Sequence, residues 1–228
     1  MKLIAEKIEK KYPRKKKGEW IEILKQTQFV LESGKITAVT GRSGSGKSTL
    51  LYILSGLLKP SSGRVIWKDR DLYRQTDRDR AGILNGEFGI IPQGYTCLDS
   101  LTVEENILLP LRLKEKNVAR TEFEKRAGEL METLEISHLR GAYPGELSGG
   151  EKRRLAIARA LAGKPQVIFA DEPTGDLDEE STKKVWKLLK DEAGRGCAVL
   201  LVTHERVEGD FFDIHYHMDA GQLRPAEN

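Results

Sequence analysis

Residues 41–48 read Gly41-Arg42-Ser43-Gly44-Ser45-Gly46-Lys47-Ser48, the spacing G-x-x-x-x-G-K-[ST]. Glycines at these intervals let successive main-chain N–H groups turn inward around phosphate oxygens, and a helix opening at the end of the run adds partial positive charge. Lys47 would reach the β- and γ-phosphates of a nucleoside triphosphate, the Ser48 hydroxyl would coordinate Mg²⁺, and Thr49 completes the binding run. The motif points to a nucleoside triphosphate and leaves open what its energy drives.

A second candidate site closes the apolar run Val167-Ile168-Phe169-Ala170, where Asp171 and Glu172 follow directly. Asp171 would hold the metal, and Glu172 would polarise a water toward the γ-phosphorus as general base. Alone, an acidic pair at a strand end is as often a turn or a helix cap. Beside a phosphate cradle it reads as a hydrolytic site.

Elements must bring these groups together. The apolar run Lys35 to Thr40 enters the glycine loop as a strand, and Leu50, Leu51, Ile53 and Leu54 leave it as a buried helix ended by Gly56 and Pro60. Leu3 to Lys7 and Trp20 to Leu24 read as short strands. Between them, Pro13-Arg14-Lys15-Lys16-Lys17-Gly18 reads as a solvated hairpin tip, with anionic lipid headgroups as the alternative contact. Helical spacing recurs from Phe123 to Leu134, from Glu151 to Ala162 and through Thr182, Val185, Leu188 and Leu189; Val167–Ala170 and Ala198–Val202 are wholly apolar strands. Strands buried on both faces and alternating with helices predict a parallel α/β sheet.

The 228 residues suit one domain with a subdomain. With 39% hydrophobic and 32% charged residues the chain has material for a core. Thirty-eight basic against 35 acidic residues leave a net charge of +3, which argues against a nucleic-acid partner. Cys97 and Cys197 are too few and too far apart for a disulfide framework or a zinc site, which fits a reducing cytosol. No apolar run approaches the roughly 18 residues of a membrane span, and the first residues lack a signal peptide's apolar stretch.

Leu147-Ser148-Gly149-Gly150-Glu151 cannot be derived from hydrolysis chemistry within one chain. Together with Gln93, Gly175-Asp176-Leu177-Asp178 and His204, and in the same order, it resembles the ATP-binding cassette (ABC) ATPases over nearly the whole chain, Tyr12 to Leu223. The resemblance implies a P-loop NTPase cassette of the α/β class spanning residues 1–228 as one domain. It would have a RecA-like core, an N-terminal antiparallel β-subdomain and a helical subdomain inserted at about residues 94–165. It implies a homodimeric nucleotide sandwich in which Ser148, Gly149, Gly150 and Glu151 act on the partner's ATP. Asp178 joins the nucleotide-binding set, and Gln93 would touch Mg²⁺ and the attacking water. His204 would bond the γ-phosphate, and Tyr12 would stack on adenine, with a core tyrosine as the alternative.

Asn85, Phe88 to Gln93, Leu101 to Ile107 and Leu109-Pro110-Leu111 are similar to the MacB/LolD branch. That branch implies an ATPase at the cytoplasmic face of the membrane, powering a separate permease subunit for export of peptides, drugs or lipoproteins. Alternatives are a cell-division type regulator and a nucleic-acid or ribosome-associated cassette. Three residues depart from the frequent pattern: Arg153 stands where many members have glutamine, as does Glu151, and Asp176 replaces asparagine or alanine. The segment from Pro92 to Asp99 departs most, where the family docks its membrane partner.

Overall fold

The structure, a computed structural model, describes residues 1–14, 18–94, 96–114, 120–204 and 211–226. The lysines of the basic run, 15–17, and Tyr95 lie outside them. Two sheets organise the chain. The first is antiparallel, in the order β2-β1-β4-β5, with β1 at Lys2–Pro13, β2 at Trp20–Glu32, β4 at Ser62–Trp67 and β5 at Arg70–Asp71. The second runs β10-β9-β3-β8-β7-β6, with β3 at Ile36–Thr40, β6 at Phe88–Ile91, β7 at Val167–Asp171, β8 at Ala198–Thr203, β9 at Ile214–Asp219 and β10 at Gln222–Pro225. All its neighbours pair in parallel except the β9–β10 hairpin.

Alternation along β7 shows how the second sheet is buried on both faces. Val167 and Phe169 point into one apolar cluster, with Leu50, Leu51 and Leu54 of α1 (Lys47–Leu54) and the inner face of the first sheet. Ile168 and Ala170 point into another, with α3 (Val103–Lys114), α4 (Arg120–Thr133), α5 (Gly149–Ala162) and α6 (Glu179–Gly194). Phe169 is fully buried and stacks edge-on against Phe88, so Phe169→Ala would cost about 3–5 kcal/mol.

The first two strands are not the short segments their alternation suggests; they run 12 and 13 residues. Register shifts after Ala5, Ile8 and Lys10 break the period of two that would have shown their length, and Lys7 takes φ 49° at the first shift. The two strands stay paired as far as Pro13 and Trp20, and Arg14 N–H donates to Glu19 O at 2.8 Å. Helix α2 (Asp77–Glu87) carries little periodic signal, burying only Ile83, whereas α3 buries Val103, Ile107 and Leu111 at helical spacing but contains Pro110. Asn85 ties the pair together, its side-chain amide donating to Pro110 O at 3.2 Å.

Parallel strands put all their carboxyl ends at one edge, and that edge is where the loops after β3, β6, β7 and β8 emerge. β6, β7 and β8 are consecutive neighbours, so the residues following them meet for topological reasons.

Candidate active site

The loop from Gly41 to Gly46 leaves β3 with a crown of Arg42, Ser43 and Gly44 open to solvent. Two of its glycines are there for reasons of space. A Cβ on Gly41 would stand 2.1 Å from Met218 O, and one on Gly46, at φ 108°, would stand 2.7 Å from Ile23 O. β2 and the β9–β10 turn therefore back the loop directly, and Gly221 N–H donates to Ser45 O at 2.9 Å to fix it. Helix α1 starts at Lys47 with no side-chain cap and no acidic residue in its first turn, which leaves its N–H groups and dipole for an anion. Lys47 is buried under the loop, its ammonium donating to Gly41 O at 2.8 Å and Arg42 O at 3.1 Å. Ser48 and Thr49 follow, both half-buried.

Asp171 ends β7 fully buried, and its Oδ2 has no partner among the described residues. Burial pushes its carboxyl above the ordinary aspartate range, against the opposing hydrogen bond from Ser48. An orphaned carboxylate oxygen beside a hydroxyl at the phosphate cradle fits a hard divalent cation that takes its remaining ligands from phosphates and water. Among the described residues there is no cluster of three or more His, Cys, Asp or Glu suited to a metal.

Glu172 takes φ 48°, a left-handed value uncommon for a residue with a side chain. Its carboxylate receives two neighbours: His204 Nδ1 lies 2.6 Å from Oε1, and Gln93 Nε2 donates to Oε2 at 3.3 Å. A carboxylate only accepts, so Nδ1 carries the proton and Nε2 is the ring's outward nitrogen. Sequence-predicted Gln93, Glu172 and His204 thus form one constellation.

Tyr12 stands near the end of β1 with 41% of its surface exposed, which removes the core alternative; Lys10 Nζ lies 4.9 Å from the ring centroid. Ser148 is the N-cap of α5, and the helix opens with a capping box: Glu151 N–H donates to Ser148 Oγ at 3.3 Å and Ser148 N–H to Glu151 Oε2 at 2.7 Å. Gly149 and Gly150 form the first turn, and a Cβ on Gly150 would lie 3.4 Å from Asp176 O. Asp178 caps α6, accepting from Ser181 N–H at 2.8 Å and from the Ser181 hydroxyl at 2.8 Å. Its carboxylate has this local task in addition to any nucleotide contact.

Arg153 escaped the reading of the sequence as a structural hub. It is 1% exposed on α5, and its guanidinium donates to Pro92 O, Gln93 O, Glu172 O and Gly175 O. The signal was present: Arg153, Ile157 and Leu161 recur every four residues, so the arginine sits on the buried stripe of its helix.

Comparison with known proteins identifies the family. A family model described as ABC transporter matches residues 24–175. The chain is 39% identical over 189 residues to the lipoprotein-releasing system ATP-binding protein LolD of Idiomarina loihiensis, covering 82% of each chain. It is 38% identical over 208 residues to LolD of Shewanella oneidensis, covering 91% of this chain and 90% of that one. Methionine import ATP-binding protein MetN 1 of Bacillus anthracis is 41% identical over 191 residues, covering 83% of this chain and 54% of its own. Among solved structures, the ATP-binding cassette MJ0796, a dimer in a post-hydrolysis state bound to ADP and Pi, superposes with a TM-score of 0.91 at 31% identity over 99% of both chains. The chain belongs to the ABC transporter family, of which it is an ATP-binding cassette, the ATPase subunit of a transporter.

Proposed function

We propose that Glu172 is the general base for ATP hydrolysis in this cassette, with Gln93 and His204 holding its carboxylate and the attacking water in line with the γ-phosphorus. The observation that carries this is the double engagement of one carboxylate, at 2.6 and 3.3 Å, from the loops after two neighbouring strands. Water loses its proton to Glu172, its oxygen bonds to the γ-phosphorus, and the bond to the β–γ bridging oxygen breaks to release ADP and phosphate. The main-chain donors of residues 41–46 and the Lys47 ammonium hold the β- and γ-phosphates. Ser48, Asp171 and Gln93 are the residues for Mg²⁺, which when bound neutralises charge on the phosphate oxygens. Tyr12 stacks on adenine.

A homodimer completes each site, with Ser148, Gly149, Gly150 and Glu151 of one copy facing the phosphates held by the other. Support comes from the place of Ser148, Gly149 and Gly150 at the N-terminus of α5; within one chain the Ser148 hydroxyl donates to Glu151 Oε2 at 2.8 Å, and it must leave that carboxylate to meet phosphate. Among the described residues no helix is long and apolar enough to cross a membrane. The likeness to the ATP-binding proteins of lipoprotein-releasing systems supports a separate integral membrane permease as the partner, with the cassette acting peripherally at the cytoplasmic face. The releasing-system relatives match along 82–90% of their length and the import relative along 54%, which favours a LolD-like role for this chain and lipoprotein release as the work performed.

The test is capture of the tagged Glu172→Gln chain with MgATP from its native membranes in mild detergent. A permease with a large extracytoplasmic domain is the expected companion. Recovery of ribosomes or DNA-repair factors without a membrane protein overturns the transport assignment.

A further inference from the structure

Glu172 and Gln93 meet through their side chains, yet each is also held from behind through its main chain, and one residue does both. Arg153 Nη2 donates to Glu172 O at 2.7 Å and to Gln93 O at 3.1 Å, while Nη1 donates to Pro92 O at 2.5 Å and Nε to Gly175 O at 3.5 Å. We propose that Arg153 is a positioning residue for hydrolysis, a buried fork that fixes the backbones of Gln93 and Glu172 so that their side chains converge. This rests on the reading of Glu172 as the base.

Three observations carry it. Burying a guanidinium is expensive unless its donors are engaged, and Arg153 is 1% exposed with acceptors from three separate segments: the turn after β6, the end of β7 and the turn before α6. A planar fork with donors in fixed directions sets the relative position of those segments, which a flexible single-nitrogen cation does not. Glu172 sits at φ 48°, a conformation that persists only where surroundings over-determine it. Its own N–H donates to Val202 O at 2.8 Å, and its carbonyl accepts from Gly175 N–H at 3.2 Å as well as from Arg153. Both peptides flanking the Glu172 side chain are therefore held, and Arg153 supplies the shorter bond on the carbonyl side.

The position of Arg153 in its helix extends the consequence. Ser148 caps α5, and Arg153 lies on the same helix just beyond its first turn. The segment that would face the partner's ATP is thereby tied through one side chain to this chain's own base and to the Pro92–Gln93 turn. A displacement of α5 would be felt at Glu172 by loss of carbonyl bonds and not by loss of any phosphate contact.

The experiment measures steady-state ATP hydrolysis by the full chain, normalised to competent sites by titration with a fluorescent ATP analogue. Arg153→Met removes every donor at similar volume; kcat per site should fall at least tenfold with KM for ATP within about threefold of wild type. Arg153→Gln keeps two amide donors and should recover part of that loss, falling between wild type and Arg153→Met. If Arg153→Met does not fold, Arg153→Gln alone carries the test: a threefold or greater loss of kcat at unchanged KM supports the proposal. Wild-type kcat per site in either variant overturns it, as does a loss that lies wholly in KM or in the number of competent sites. Glu172→Gln is run alongside: if it turns over like wild type the base assignment has failed, and if it is inactive while Arg153→Met is not, only the positioning role has failed.

Discussion

His204 Nδ1 lies 2.6 Å from Glu172 Oε1, although 32 positions separate the two residues in the chain. β7 and β8 are adjacent and parallel, Asp171 pairing with Val202, so the residues just beyond each strand emerge side by side. The contact is therefore a product of strand order. His204→Ala removes the hydrogen bond that orients Glu172 and the ring that would meet the γ-phosphate; kcat should fall about 10²-fold or more, with nucleotide affinity changed far less. Steady-state phosphate release checks it, and His204→Ala turnover near wild type would remove His204 from the site.

Tyr12 supplies an exposed ring near the end of β1 with the Lys10 ammonium 4.9 Å from its centroid. Base–aromatic stacking is worth about 1–3 kcal/mol, so Tyr12→Ala should weaken ATP binding by about 5- to 150-fold. Tyr12→Phe and Tyr12→Trp should stay close to wild type. Equilibrium binding with a fluorescent ATP analogue reads this directly, and an unchanged Kd for Tyr12→Ala would place adenine elsewhere.

Asp171 gives a stability effect opposite in sign to its use. Its folded pKa is raised above 3.8, chiefly by burial. As pH climbs past the unfolded value, the unfolded chain releases its proton first, so stability falls until the folded Asp171 ionises and then levels off. Asp171→Asn removes this leg, and near neutral pH the nucleotide-free protein should melt about 2–4 °C higher for each ~1 kcal/mol recovered. ATP hydrolysis should be lost at the same time. Thermal unfolding from pH 3 to 8 without nucleotide tests the sign, and a lower melting temperature across that range would contradict it.

Ser148 and Lys47 should serve the same nucleotide from different chains. Ser148→Arg and Lys47→Ala are each expected to be inactive alone. Mixed in equal amounts they form heterodimers with one intact composite site, and about a quarter of wild-type activity should return if sites act independently. Absence of any recovery, with heterodimers confirmed by cross-linking, would contradict the sandwich.

The phosphate loop, Asp171, Glu172 and the strands carrying them could be read from the sequence because their signals are local: a glycine spacing, an apolar run, an acidic pair at its end. The α5 N-terminus was legible only in part: apolar spacing starts the helix at Glu151, two residues late, and Ser148 drew notice through the family resemblance and not as a cap. What stayed hidden depends on distance or irregularity. β1 lost its alternation to register shifts around Lys7, and Pro110 inside α3 imitates a breaker. The binding of Arg153 to four carbonyls leaves no trace in the types of its partners, because every residue has a carbonyl. Only a charge on a buried helical stripe hinted at it.

The central claim is that Glu172 takes the proton from the water that attacks ATP, and single-turnover phosphate release by Glu172→Gln at saturating MgATP tests it most directly. The account expects ATP binding within about threefold of wild type, hydrolysis slowed at least about 10²-fold, and accumulation of an ATP-bound dimer by size-exclusion chromatography. Phosphate release within about tenfold of wild type, from a chain that binds ATP normally, would contradict it.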